Sequence, residues 1–235
     1  YATHFLLEAK KAGYEVPLNS LDRAVQALRA SVEAVPAPND RDEYFHDNLA
    51  YACYVLAVAG ETSNAWLERM LERKSDLSYY ARLMNASALL VGGDPKRAVA
   101  LLKELGLPGP GSRDFGGCFN SPNRLAALLL SAWLDIDPKN DDVFKLVQVL
   151  GKSRINGYWG TTQDSAMALM ALGKYAQRAK GGVCEYKGTI ALPGGVTEAF
   201  DHTTGHTWDI ARGEMAAVTL ANEGPGLLYY SFESE

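Results

Sequence analysis

The chain has 235 residues, 23 of them Lys or Arg against 28 Asp or Glu, for a net charge of −5. Basic residues are interspersed among acidic ones, which leaves no electrostatic footprint for nucleic acid. At 47% hydrophobic and 22% charged, the composition excludes a disordered or collagen-like chain.

The first residues already place Ala2, Phe5, Leu6 and Ala9 on one helical face. The chain stops just after the apolar run 227–230. Such ends are expected of a piece cut from a longer protein, in which case the lack of a leader says nothing about targeting.

From there to about residue 180 the pattern is helical, and two kinds of helix alternate. One kind is amphipathic. Leu21, Val25, Leu28, Val32 and Val35 share a face opposite Asp22, Arg23, Arg29 and Glu33, and similar two-faced segments follow at 63–74, 95–105 and 141–152. The other kind is apolar nearly all round. Segments 51–59, 125–134 and 166–172 carry no charge, and 77–91 carries only Arg82. A helix apolar on every side must be buried on every side, whereas an amphipathic one covers a core on one face. Alternation therefore predicts two layers, with greasy helices inside and half-buried ones outside. A period of some 30–45 residues per pair matches helix-pair repeats. The expected fold is mainly α, an α/α toroid formed as a partial ring of helical hairpins. An open solenoid is the runner-up, but inner helices so rich in Ala suit close packing near a ring centre better than a polar concave surface.

Loop chemistry agrees with these limits. Gly92-Gly93-Asp94-Pro95 reads as a helix stop, an Asp N-cap and Pro at the first helical position. Asp137-Pro138 closes the helix before it. The irregular stretch 106–123, rich in Gly and Pro, is too long for a passive connector and is expected to pack across one mouth of the ring. After Lys180-Gly181-Gly182 the period changes. Residues 186–192, 215–220 and 227–232 read as strands, with turns at Pro193-Gly194-Gly195 and 222–226. The expected domains are thus a toroid over 1–180 and a small, incomplete β-sandwich segment over 181–235.

Few constellations suggest chemistry. His202 and His206 have a spacing that binds metal on a helix, but they fall in a turn-rich strand context without a third ligand, so loop histidines are expected and no metal. Asp135 and Asp137 end a helix and precede Pro138, a poor setting for an acid/base pair. Cys53 lies in an apolar helix and Cys118 has no histidine base near it in sequence; both read as inert thiols. No phosphate loop, nucleophile elbow or H-E-x-x-H is present, and no cofactor is expected.

The strongest local signal is Asn156-Gly157-Tyr158-Trp159-Gly160-Thr161-Thr162-Gln163-Asp164. A glycine turn presents Trp159, Thr161 can cap the next helix, and Asp164 stands three residues on as reciprocal partner. The expected role of Gly157, Trp159, Thr161, Gln163 and Asp164 is structural, an aromatic plug above a capped inner helix.

This motif, continuing Ala168-Leu169-x-Ala171-Leu172-x-Lys174-Tyr175, resembles the last helix pair of the thioester-containing domain of the alpha-2-macroglobulin/complement family. Tyr80-Ala81-Arg82 through Ala88-Leu89, Gly93 and Arg97-x-x-x-Leu101-Leu102 are similar to its central helices. Thr3-His4-Phe5-Leu6-Leu7-Glu8-Ala9 is most like the bacterial branch. The 184–235 segment resembles the β-region that follows there, of CUB-like or macroglobulin-like type.

The resemblance implies a non-enzymatic, structural part of a bacterial peptidase inhibitor of the periplasm or cell envelope. In that family a cut in a bait segment triggers rearrangement, and a Cys–Gln thioester captures the attacking protease. The partners implied are target proteases, met by the full-length protein, and other domains of the parent chain, with no small-molecule substrate. The thioester needs C-x-E-Q, expected before Tyr1. Cys53, Cys118 and Cys184 are followed by Tyr54, Phe119 and Glu185, and none fits. Some complement relatives use a histidine before the third domain helix as an acyl shuttle, and His46 falls near that place. The alternatives are toroid enzymes. A terpene cyclase or prenyltransferase would need an acidic cluster or zinc ligands at the mouth, and a carbohydrate-active toroid two placed carboxylates. The inner helices offer almost none.

Overall fold

The computed structural model describes residues 1–35, 43–61, 65–109, 120–179, 187–203, 206–211 and 218–224. The chain forms two compact units, Tyr1–Lys174 and Tyr175–Glu235.

The first unit is helical: α1 (Ala2–Lys11), α2 (Leu18–Glu33), α3 (Glu43–Val58), α4 (Ala65–Glu72), α5 (Tyr79–Val91), α6 (Pro95–Leu105), α7 (Pro122–Ile136), α8 (Asp141–Lys152) and α9 (Thr162–Ala179), which continues past the division. Local chemistry fixes the starts. Ser78 Oγ accepts from Ala81 N, Asp94 Oδ1 from Arg97 N, Ser121 Oγ from Arg124 N and Asn140 Oδ1 from Asp142 N, each occupying an amide that the helix leaves unpaired. Pro stands at the first position of α6 and of α7. Helix α5 stops at Gly92-Gly93. Gly93 has φ +89°, and Asp94 N returns to the Leu89 carbonyl at 2.8 Å.

Neighbouring helices pack as successive hairpins, and α1, α3, α5 and α7 also pack on one another in that order. Bonds from α7 to α9, given below, extend this inner course. The two layers differ as expected. Helices α5 and α7 bury most of their residues, including Tyr80, Leu83, Met84, Leu129, Leu130 and Trp133, while α2, α4, α6 and α8 bury two or three each. Small buried residues on the inner helices, Ala50, Ala57, Ala81, Ala88, Ala126 and Ala127, let their axes approach closely. One contact fixes the curvature. The Arg124 guanidinium at the start of α7 reaches the Tyr1 hydroxyl at the start of α1, 3.1 Å away. With axes some 8–10 Å apart, a straight array would put α1 and α7 about 25 Å apart, beyond any side chain. The inner course therefore bends back on itself, an incomplete α/α toroid.

Two inner helices depart from burial on every side. Along α9 the uncharged stripe Ala166, Leu169, Met170 and Gly173 is exposed, and α1 has no fully buried residue. A greasy sequence sets a need for cover, but in this chain each end helix of the inner course has a neighbouring inner helix on one side.

The second unit holds a three-stranded antiparallel sheet, β1 (Lys187–Ala191), β2 (Thr197–Asp201) and β3 (Thr219–Asn222), in the order β2-β1-β3. The register opposes Gly188 to Phe200 and to Asn222. Gly188 is required there, since a Cβ would stand 2.0 Å from the Ala221 carbonyl oxygen and 2.9 Å from the Phe200 ring. The turn at Gly194 and Gly195 has φ of +85° at both, as the sequence requires. Strand β2 adds to the strands expected from the sequence, and only Phe200 points inward from it. Strand β3 overlaps only the end of the segment expected at 215–220. The expected strand at 227–232, Cys118 and Cys184, and the core of the stretch expected across the ring mouth all lie outside the described residues.

Candidate functional site

The sequence motif builds a tight hairpin. Ile155 and Tyr158 exchange backbone hydrogen bonds at 3.0 and 3.1 Å around Asn156, φ +50°, and Gly157, φ +88°. Both turn positions need the left-handed region, which Asn and Gly adopt at least cost. The turn sends Trp159 inward, where it is 3% exposed and its Nε1 donates to the Leu150 carbonyl at 2.7 Å. Its backbone N donates to Ser165 Oγ, and Thr161 Oγ1 accepts from Asp164 N at 3.2 Å. Gln163 is exposed. Asp164 does something sequence reasoning missed: its buried carboxylate accepts a 2.6 Å hydrogen bond from Ser121 Oγ, across to the start of α7.

That bond belongs to a repeated device at the helix N-termini. Ser121 Oγ accepts a hydrogen bond from the Arg124 amide and donates one to Asp164 Oδ1. Ser78 Oγ accepts from the Ala81 amide and donates to Asp47 Oδ1, in the first turns of α3. Each N-cap serine thus serves its own helix while holding a buried carboxylate of the neighbouring inner helix. Asn120 joins the two relays, with Nδ2 donating to Asp47 Oδ2 at 3.0 Å while Oδ1 accepts from Arg124 Nη1 at 3.4 Å. Arg124, 2% exposed, lies over the Tyr80 ring at 5.2 Å and also donates to the Tyr1 and Tyr80 hydroxyls. Two buried carboxylates at the positive ends of helix dipoles are electrostatically well placed. A local signal existed for Ser121, an N-cap residue ahead of Pro122.

A second cluster lies between α1, α3 and α7. His4 Nδ1 is 2.8 Å from Tyr51 Oη, and the rings of His4, Tyr1, Tyr51 and Tyr54 pack together. Burial pushes the Tyr54 phenol up to about 12 and also raises Tyr51. Lys174 of α9 donates to Ser131 and to Asp135 Oδ2 of α7, the latter at 2.6 Å. These polar groups lie at or beyond the ends of the uncharged runs, or are phenols and an imidazole, and they meet across helices.

The remaining candidates are placed as follows. His46 is half-buried at the start of α3, edge-on to Phe45, in a cleft of about 190 Å³ with Trp66, Arg69, Arg73, Asp76 and Leu77. Asp135 pairs with Lys174, and Asp137 Oδ1 accepts from Lys139 N at the end of α7, so each has a structural task. His206 stacks on Trp208 with planes 8° apart and also meets Phe200; His202 is exposed. Cys53 is buried on α3. Among the described residues no group of His, Cys, Asp and Glu is arranged to hold a metal ion, and no helix is long and apolar enough to cross a membrane.

No protein-family model and no curated protein matches the sequence. Solved structures do match. The native conformation of alpha-2-macroglobulin from E. coli aligns over 86% of this chain with 21% identity and a TM-score of 0.66. Its fold is that of a segment of bacterial alpha-2-macroglobulin. The E. coli protein activated by porcine elastase matches over 96% of the chain (21% identity, TM-score 0.63), and Salmonella alpha-2-macroglobulin reacted with methylamine also over 96% (22%, 0.65). The likeness is one of fold, and this chain spans only 13%, 20% and 15% of those three chains. In both clusters the hydrogen bonds run between neighbouring helices.

Proposed function

We propose that this chain is a non-enzymatic scaffold segment of a bacterial alpha-2-macroglobulin-like inhibitor that traps peptidases. The observation that carries this reading is the order of inner and outer helices followed by a small antiparallel sheet, in one fold with bacterial alpha-2-macroglobulins. The carboxylates support a structural role, because buried Asp47 and Asp164 and exposed Asp135 each bond to a neighbouring helix or the residue that caps it. In this reading 1–180 is a thioester-domain-like toroid that lacks its N-terminal helices. The 181–235 segment is part of a CUB-like or macroglobulin-like sandwich. The motif from Gly157 to Asp164 is the structural plug and cap of the last inner helix. The partners are endopeptidases, and the setting is the periplasm or cell envelope.

A covalent mechanism would need C-x-E-Q upstream; with it, His46 is the acyl-shuttle candidate, and without it the trap is purely steric. The test uses the full-length parent with an endopeptidase. Digestion of a large protein should slow markedly while cleavage of a small chromogenic peptide continues. Equal digestion of the large substrate with and without the parent protein overturns the proposal.

A further inference from the structure

The hairpin that seats Trp159 turns on Asn156-Gly157, both exposed. Among the described residues, neither the Asn156 carboxamide nor the Gly157 amide nitrogen makes a hydrogen bond. One pair of backbone bonds, between Ile155 and Tyr158, closes the turn, and those two side chains are 69% and 53% exposed. An exposed turn with so few contacts lies at the low-stability end of a fold. Glycine is favoured at 157 by φ +88°, and it leaves its own nitrogen unscreened by a β-carbon.

We propose that Asn156 is a site of spontaneous deamidation, and that its isoaspartyl product undoes the turn seating Trp159. The Gly157 nitrogen gives up its proton and attacks the Asn156 side-chain carbon. The new N–Cγ bond closes a five-membered succinimide, the Cγ–Nδ2 bond breaks, and ammonia leaves with the proton. Water then opens the ring at either carbonyl. Opening at Cγ gives aspartate, whereas opening at the Asn156 main-chain carbonyl routes the chain through the former side chain as isoaspartate. The balance is one water consumed and one ammonia released.

The closed turn restrains the first step. In a mirror-image type I turn the first central residue has ψ of about +30°, which points the next nitrogen away from its side chain. Asn156, at φ +50°, holds that place, so ring closure runs from the opened turn. Trp159 opposes opening, because its Nε1 donates to the Leu150 carbonyl and its backbone N to Ser165 Oγ. Isoaspartate adds a main-chain carbon to a loop whose two-residue length sets the register. Ile155 and Tyr158 then no longer face each other, and Trp159, next along the chain, loses its direction inward. Aspartate adds only a charge. The inference does not rest on the protease-trap reading.

The test ages the 235-residue chain in mildly alkaline buffer and follows the tryptic peptide 155–174, in which Asn156 is the sole asparagine. A species about 1 Da heavier should accumulate in two separable forms, one of them a substrate for protein isoaspartyl methyltransferase. It should grow at least about fivefold faster than deamidation at Asn48, which is exposed but followed by leucine. Ser165→Ala, which removes the acceptor of the Trp159 amide, should speed it at least about twofold. In hydrogen exchange, amides 158–166 of the isoaspartyl fraction should lose protection while those of α5 hold. Asn156→Asp carries the charge without the added carbon and should keep that protection. Modification no faster than at Asn48, a rate indifferent to Ser165→Ala, or unchanged protection in the isoaspartyl fraction each overturn the proposal. So does an equal loss of protection in Asn156→Asp, which assigns the effect to charge. Should Ser165→Ala fail to fold, urea below the unfolding transition decides, and a rate that does not rise with it overturns the proposal.

Discussion

In the helical unit, the inner helices α3, α5 and α7 each have inner neighbours on two sides and outer helices behind them. In the sheet unit, three strands of four or five residues bury Ile190 and Phe200 alone among their large side chains. The first unit spreads its stability over many side chains and repeats one capping device, so a single defect has a bounded effect. The second depends on one register, fixed by a glycine that lets an aromatic ring and a neighbouring carbonyl approach. Burial scales with the surface each element can share, and helices in two layers share far more than three short strands.

The comparison breaks most sharply at Asp47. Asp47→Ala orphans the Ser78 hydroxyl and one Asn120 amide donor at a buried site, and should cost about 3–5 kcal/mol by urea unfolding of the helical unit. Amide protection in β1–β3 should not follow it if the two units are energetically separate. Gly188→Ala tests the other side. Its Cβ meets a backbone oxygen that must shift, so about 1–3 kcal/mol should be lost, read as lost protection across β1 and β3 with α5 and α7 unchanged. Asn85 sharpens the contrast in the opposite direction. It is 0% exposed on α5, and among the described residues neither its amide nitrogen nor its amide oxygen has a hydrogen-bond partner. Asn85→Leu removes an unpaid desolvation cost and should raise the urea midpoint, by about 1–2 kcal/mol at constant slope. A lower midpoint would show that the amide is satisfied in solution.

Much of the architecture was legible because its signals are local. Uncharged runs marked α3, α5 and α7; two-faced runs marked α2, α4, α6 and α8; Asp94, Pro95 and the glycine pair before them set one boundary unaided. The site was less legible. Asp164 could be read as a capping partner, since Thr161 is three residues away, but its bond to Ser121 spans 43 residues. Asp47 and Arg124 carry no local sign of their burial, because a helical wheel does not show which neighbour approaches that face. Strand β2 was missed for a related reason: one inward residue makes no alternation until β1 lies beside it.

The amino-acid order alone determined the number and kind of helices, their caps and turns, and the division into inner and outer layers. These follow from hydrogen bonding and apolar periodicity within a few residues of chain. Tertiary structure decided which charges are buried, that Tyr1 and Arg124 meet so that the inner course curves, and that α9 keeps an uncharged face in water. Those outcomes depend on which helix lies next to which, and that is set by packing between segments far apart in the chain.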